Sequence, residues 1–207
     1  MSNHQAAVVG TGLMSFMPGI SAAQRTSVQL ALLQAGQETR FVHEQGQVAD
    51  WYGYFKNKLK FYGWDALPPG EVHWPDSERP HIVDNALRSI AATAGSRYAA
   101  STELAMHGLA TSARALLHFE RRVQHQGIFQ LLPCALGKNG CVDMVLYHEE
   151  VDQSQVSAGF LFRQRRHQRV RAELVRFNTR LFDRQFRDKV ERSLQAIALK
   201  EIVELQL

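Results

Sequence analysis

The spacing of apolar residues changes from helical to strand-like at Gly127, and that change constrains the fold more than any other feature. Upstream, over residues 97–126, Ala105, Leu109, Ala113, Leu116, Phe119 and Val123 fall on one side of a helix turning about 100° per residue. Glu103, His107, Arg114, His118, Arg121 and His125 fall on the other. This spacing predicts one long amphipathic helix that Gly127 ends. Downstream, residues 128–136 and 141–148 read as two strands around the turn Gly137-Lys138-Asn139-Gly140. Phe160-Leu161-Phe162 reads as a third strand, and residues 170–177 as a fourth. From Thr179 on, Phe182, Phe186, Val190, Leu194 and Ile197 return to helical spacing and predict a helix to the end of the chain.

Residues 1–19 hold Gly10, Gly12, Pro18 and Gly19, breakers that argue for an irregular arm. Val28, Leu32 and Ala35 then mark a helix starting near Ser21, with Gly36 interrupting or ending it. Pro68-Pro69-Gly70 and Trp74-Pro75-Asp76 mark a long loop, and Ser77 is a good N-cap for a helix to about Ala94, with Pro80 at its third position. Helices first and strands later is the α+β pattern. The expectation is one domain over residues 1–207: an arm at 1–19, a helical subregion at 20–126, an antiparallel meander of three to four strands at 127–178, and a C-terminal helix at 179–207. A chain of 207 residues buries about 70% of the surface its unfolded form exposes, so no disulfide or metal is needed to fold it.

Residues 51–64 form an aromatic block, Trp51-Tyr52-Gly53-Tyr54-Phe55 through Tyr62-Gly63-Trp64, interleaved with Lys56, Lys58 and Lys60. Asp50 is placed to cap a helix here and Gly63 to end it. Trp51, Tyr52 and Trp64 are the candidates for an exposed aromatic surface that stacks nucleic-acid bases or rests at a membrane interface. The competing reading, that these rings are core between helices, is the favoured one. This block, with the His73-Trp74-Pro75-Asp76 stretch, resembles segments of uncharacterised bacterial proteins of similar length. The resemblance implies no activity, so no functional residue is carried over from it.

Signatures of chemistry are weak. Val8-Val9-Gly10-Thr11-Gly12 resembles the opening of a dinucleotide-binding fold, but Ser15 stands where the third glycine belongs and Pro18-Gly19 would break the helix that should follow. His118 and His125 are two helical turns, roughly 10 Å, apart, too far for one metal ion. Cys134 and Cys141 flank the 137–140 turn in a register that keeps their sulfurs apart, so both are expected as free thiols. Asp143 and His148 are five apart and would point to opposite faces of one strand. No catalytic residue, cofactor or metal is therefore assigned, and an enzyme is the less favoured class.

Charge carries the remaining functional signal. The chain has a net charge of +4, yet residues 163–192 hold eleven basic and four acidic side chains. Arg184 and Asp188, Asp183 and Arg187, and Asp188 and Arg192 sit at i,i+4 spacing and neutralise one another. What is left over is a basic strip: Arg165, Arg166, Arg169 and Arg171, with Arg165, Arg169 and Arg171 on one strand face. The expected function is that of a non-enzymatic interaction protein using this strip, with an acidic protein favoured as partner. Nucleic acid is the alternative, and a membrane surface met by the apolar run 6–20 is a further one. That run is short for a membrane span, and no Lys or Arg precedes it as a signal peptide requires, so the expected location is the cytoplasm.

Overall fold

A computed structural model describes residues 4–67, 82–151 and 169–207. Seven strands form one mixed sheet among these residues: β1 (Gln5–Val9), β2 (Gly12–Phe16), β3 (Trp64–Ala66), β4 (Ile128–Leu136), β5 (Val142–Glu150), β6 (Arg169–Phe177) and β7 (Ile202–Leu205). Their order across the sheet is β3-β6-β5-β4-β2-β1-β7. Every neighbouring pair is antiparallel except β2 and β4. Seven helices accompany the sheet: α1 (Ala22–Glu44), α2 (Trp51–Phe61), α3 (Ile82–Ala94), α4 (Ser96–Thr111), α5 (Ala113–Gln126), α6 (Thr179–Gln185) and α7 (Arg187–Glu201).

The largest correction concerns the expected arm at 1–19, whose described residues from 4 on are not irregular. They build β1 and β2, two of the central strands. Gly10 and Thr11 form the two-residue hairpin loop between the paired ends Val9 and Gly12. Gly10 holds φ at +58°, as the first position of such a loop demands. Gly12 has a different reason: a Cβ there would come within 2.7 Å of Leu132 Cδ1 on the neighbouring strand. The two glycines that resembled a cofactor loop therefore serve a tight turn and a close strand approach.

Both faces of the sheet are covered. One carries Ala7, Val9, Met14, Phe16, Leu132, Met144, Leu146 and Phe177, packed with apolar residues of α1, α2, α6 and α7. The other carries Ala6, Val8, Leu13, Phe129, Leu131, Val145 and Tyr147, packed with α3, α4 and α5. The run 6–20, the further alternative for meeting a membrane, lies mostly in the core, with Pro18 and Gly19 exposed. Among the described residues no helix is long and apolar enough to cross a membrane.

The helices start where local chemistry allows. Ser21 and Gln24 form a reciprocal capping box at α1, Asp50 caps α2 through Gly53 N, and Asn178 caps α6 through Leu181 N. α1 does not end at Gly36; it runs on to Glu44 with the glycine inside, at a cost of about 1 kcal/mol relative to alanine. The expected helix over 97–126 is two helices, because Ser112 leaves helical geometry and caps α5 by accepting from Ala115 N. Gly127 then ends α5 at φ +66°. The C-terminal helix is also divided, at Phe186, and its last residues leave it as β7 to pair with β1.

The 128–136 and 141–148 strands are found as β4 and β5, and 170–177 as β6, giving a three-strand antiparallel run that β3 extends at the edge. Cys134 faces Met144 and both cysteines are free thiols. The Phe160-Leu161-Phe162 strand, the loop at 68–76, the Ser77 cap, Pro80 and the His73–Asp76 stretch lie outside the described residues.

Burial of the first hairpin predicts a clear stability effect. Met14 is fully buried. Met14→Ala should lower unfolding stability by about 2–5 kcal/mol in a urea titration followed by circular dichroism. A residue in a loose arm would give no measurable change.

Candidate functional site

The strand pairing decides what becomes of the basic strip. β6 lies against β5 with Arg171 opposite His148 and Arg176 opposite Asp143. Arg171 does not stand free: its guanidinium lies 4.8 Å above the Tyr52 ring and 3.5 Å from Asp50 Oδ1. Arg176 holds both oxygens of Asp143 at 2.7 and 2.8 Å. Arg187 pairs with Asp183 and Glu191, whereas Arg192 donates to the Asp188 backbone carbonyl rather than to its carboxylate. Arg169 is the first residue of β6, paired with Glu150, and its side chain is outside the described set. Arg165 and Arg166 lie in the connection between β5 and β6, also outside it.

The aromatic block folds inward. Trp51, Tyr52 and Trp64 are all buried, so none of them offers an exposed stacking surface. α2 lies over the sheet and buries Trp51 and Tyr52 there, whereas Trp64 belongs to β3 and stacks on Phe177 of β6 at 4.2 Å and 8°. Tyr52 reaches Glu173 on β6 with a 2.9 Å hydrogen bond, and Lys56 pairs with the same carboxylate at 2.6 Å. Burial first, and then the Glu173 charge, push the Tyr52 hydroxyl well above the usual phenol range.

Trp51 and Tyr52 also enclose His148. The imidazole stacks on Trp51 at 5.3 Å and 16°, and Tyr52 tilts over it at 4.9 Å. Gln130 on β4 lies directly opposite His148, and its amide meets Nδ1 at 3.4 Å. With the amide as donor, Nδ1 accepts and the ring proton sits on Nε2. Nε2 has no hydrogen-bond partner among the described residues. Burial, with the Arg171 charge adding to it and Asp50 opposing, holds the His148 pKa down at about 3. The ring is therefore neutral at ordinary pH. Asp143 projects to the opposite face of the same strand and is held there by Arg176, so no Asp–His pair forms.

Gln130 connects this cage to a cavity of about 30 Å³ on the same face. The cavity lies between the Gly10–Thr11 turn, α1, α2 and β4, and Gln126 on α5 and Glu201 at the end of α7 also line it. Glu201 is held by Arg122, whose Nε also donates to His118 Nε2 at 2.8 Å. Burial, followed by the Arg122 charge, lowers the His118 pKa. Among the described residues no three His, Cys, Asp or Glu side chains come together as metal ligands. Cys134 is buried, and burial raises its thiol pKa far above the range in which a thiolate forms.

Sequence reasoning named Asp50 as a cap and Arg171 as a free charge, and missed that they meet. It missed Gln130 and the cavity altogether. Only Gly36, a glycine inside helical spacing, signalled a gap. The chain matches no family model, no curated protein and no solved structure.

The buried imidazole gives a pH prediction. Unfolded, His148 titrates near 6.5; folded, near 3. Between these values the unfolded chain binds the extra proton, so acid favours unfolding. The contribution of His148 is full above pH 6.5 and is lost as pH falls towards 3, with a slope approaching about 1.4 kcal/mol per pH unit. Denaturant titrations of wild type and His148→Gln across this range should differ by that slope; parallel curves would show that the ring is not held neutral.

Proposed function

We propose that the protein is a non-enzymatic macromolecular interaction protein, and that the basic connection between β5 and β6 meets an acidic protein surface. One observation carries the reading. The in-sheet arginines Arg171 and Arg176 each have a carboxylate beside them, from Asp50 and Asp143. Of the basic charges at 163–171, that of Arg171 is thus engaged within the fold, and the proposal rests on Arg163, Arg165, Arg166 and Arg169, which precede it in the sequence. Arg171 moves from a contact residue to a supporting one, since it covers Tyr52 and the His148 cage. Nucleic acid loses one of its two supports on this reading, because the rings offered for base stacking are buried.

Fluorescence anisotropy with a labelled glutamate-rich peptide and a labelled DNA duplex, each across a salt series, tests the proposal. The peptide should bind at low salt, and Arg165→Ala with Arg166→Ala should weaken it at least about tenfold, equivalent to about 1.4 kcal/mol. Arg171→Ala should lower the melting temperature more than the affinity. Preferential binding of the duplex, with affinity falling steeply and linearly on logarithmic salt axes, would move the protein to the nucleic-acid class. Binding of neither probe would defeat the basic-strip reading.

A further inference from the structure

Three side chains join α5 to the end of α7. Arg122 on α5 pairs with Glu201, and both side chains are largely out of solvent, 19% and 11% exposed. The same guanidinium donates from Nε to His118 Nε2 at 2.8 Å, about one helical turn back on α5. Nε2 can accept only while it carries no proton, so this contact requires a neutral His118 with its ring proton on Nδ1.

Glu201 is where the chain changes from helix to strand. It is the last residue of α7, and its carbonyl accepts from Gly10 N in the β1–β2 loop at 3.0 Å. β7 begins at the next residue and pairs with β1. The Gly10–Glu201 bond sets the alternation of that pairing, so Val203 and Leu205 exchange hydrogen bonds with Val8 and Ala6. β7 is four residues long and has one strand neighbour, so it depends on side-chain anchors more than the central strands do. The Arg122–Glu201 pair is such an anchor.

A proton on His118 Nε2 would remove the acceptor and set an imidazolium against the guanidinium that had donated to it. Burial opposes that proton most, followed by Arg122; Glu201 of α7 favours it, and Arg114 of α5 opposes it. The one carboxylate acting on the ring among the described residues is thus the one Arg122 already holds.

We infer that His118, Arg122 and Glu201 form an acid-sensitive latch, in which neutral His118 steadies Arg122 on Glu201 and a proton on His118 loosens the α7–β7 junction from α5. The folded protein holds the His118 pKa below its ordinary value of 6.5, so the latch is complete above that value and is lost as pH falls through the folded one. The latch is separate from the basic connection between β5 and β6 and does not rest on it.

Amide hydrogen exchange of the intact chain from about pH 7.5 to about pH 4.5, corrected for the intrinsic pH dependence of exchange, tests the latch. Protection of the Val203 and Leu205 amides should fall at least about threefold on acidification. His118→Gln keeps an acceptor for Arg122 and carries no titrating proton, so its β7 protection should stay level over the same range. Arg122→Met keeps the stem of the side chain and should lower β7 protection at both ends of the range; if it fails to fold, wild type against His118→Gln decides alone. Nitrogen chemical shifts of the His118 ring at neutral pH should place its proton on Nδ1. Level β7 protection in wild type, an equal fall in His118→Gln, or a ring proton on Nε2 would overturn the inference.

Discussion

A sheet covered by helices on both faces gives its central strands no solvent side, and much of this structure follows from that condition. Ala6 to Val8, Leu13 to Phe16 and Val142 to Tyr147 hold side chains that are buried on alternate faces, apart from the half-buried Asp143. A polar group on such a strand needs a partner from the layer above it or from a neighbouring strand. Ser15 receives a hydrogen bond from Ser101 on α4, Tyr147 reaches Glu149 on its own strand, and Gln130 meets His148 across β4 and β5. Glu204 on β7 accepts from Gln29 on α1. Two of these contacts tie a helix to a strand, α4 to β2 and α1 to β7, and a shift of α4 would leave the buried Ser15 unpaired.

The same condition explains which elements the sequence disclosed. β4 and β5 flank a glycine-rich turn and follow a helix closed by Gly127, so their boundaries are punctuated on both sides. β1 and β2 are five residues each and apolar on both faces, so they show no alternation, and their two glycines read as disorder rather than as a turn and a close approach. β7 is four residues long and continues the apolar spacing of α7 without a breaker. Its strand conformation comes from pairing with β1, nearly two hundred positions away in the sequence. The divisions at Ser112 and Phe186 fall inside unbroken helical spacing, where periodicity is silent. Local pattern found helical segments but fused α4 with α5 and α6 with α7 and carried the last helix through β7; pairing between distant segments, which no local pattern encodes, determined the sheet.

Charge behaved in the same way. An i,i+4 count correctly matches Asp183 with Arg187, because both lie on adjacent turns at the α6–α7 junction. It is blind to Lys58 with Glu38, Lys56 with Glu173, Arg171 with Asp50 and Arg122 with Glu201, each of which joins two elements. Three of these four involve α2 or the residue that caps it. The lysines interleaved with the aromatic block are thus part of how the block docks: the rings go under, and Lys56 and Lys58 anchor the flanks to β6 and α1.

This arrangement bears on where binding can occur. Arg171, Asp50, Tyr52, Lys56 and Glu173 hold α2 against β6, and the His148 cage lies beneath them. A partner that took Arg171 for itself would have to pull the guanidinium from Tyr52 and Asp50 and expose a buried aromatic layer, an unfavourable exchange. The cavity between α1, α2 and β4 depends on the same docking, since Trp51 forms part of both the cage and the cavity wall. A substitution that loosened α2 would disturb the cage and the cavity together, whereas one at Gly36 or Arg40 would reach the cavity and leave the α2–β6 contacts in place.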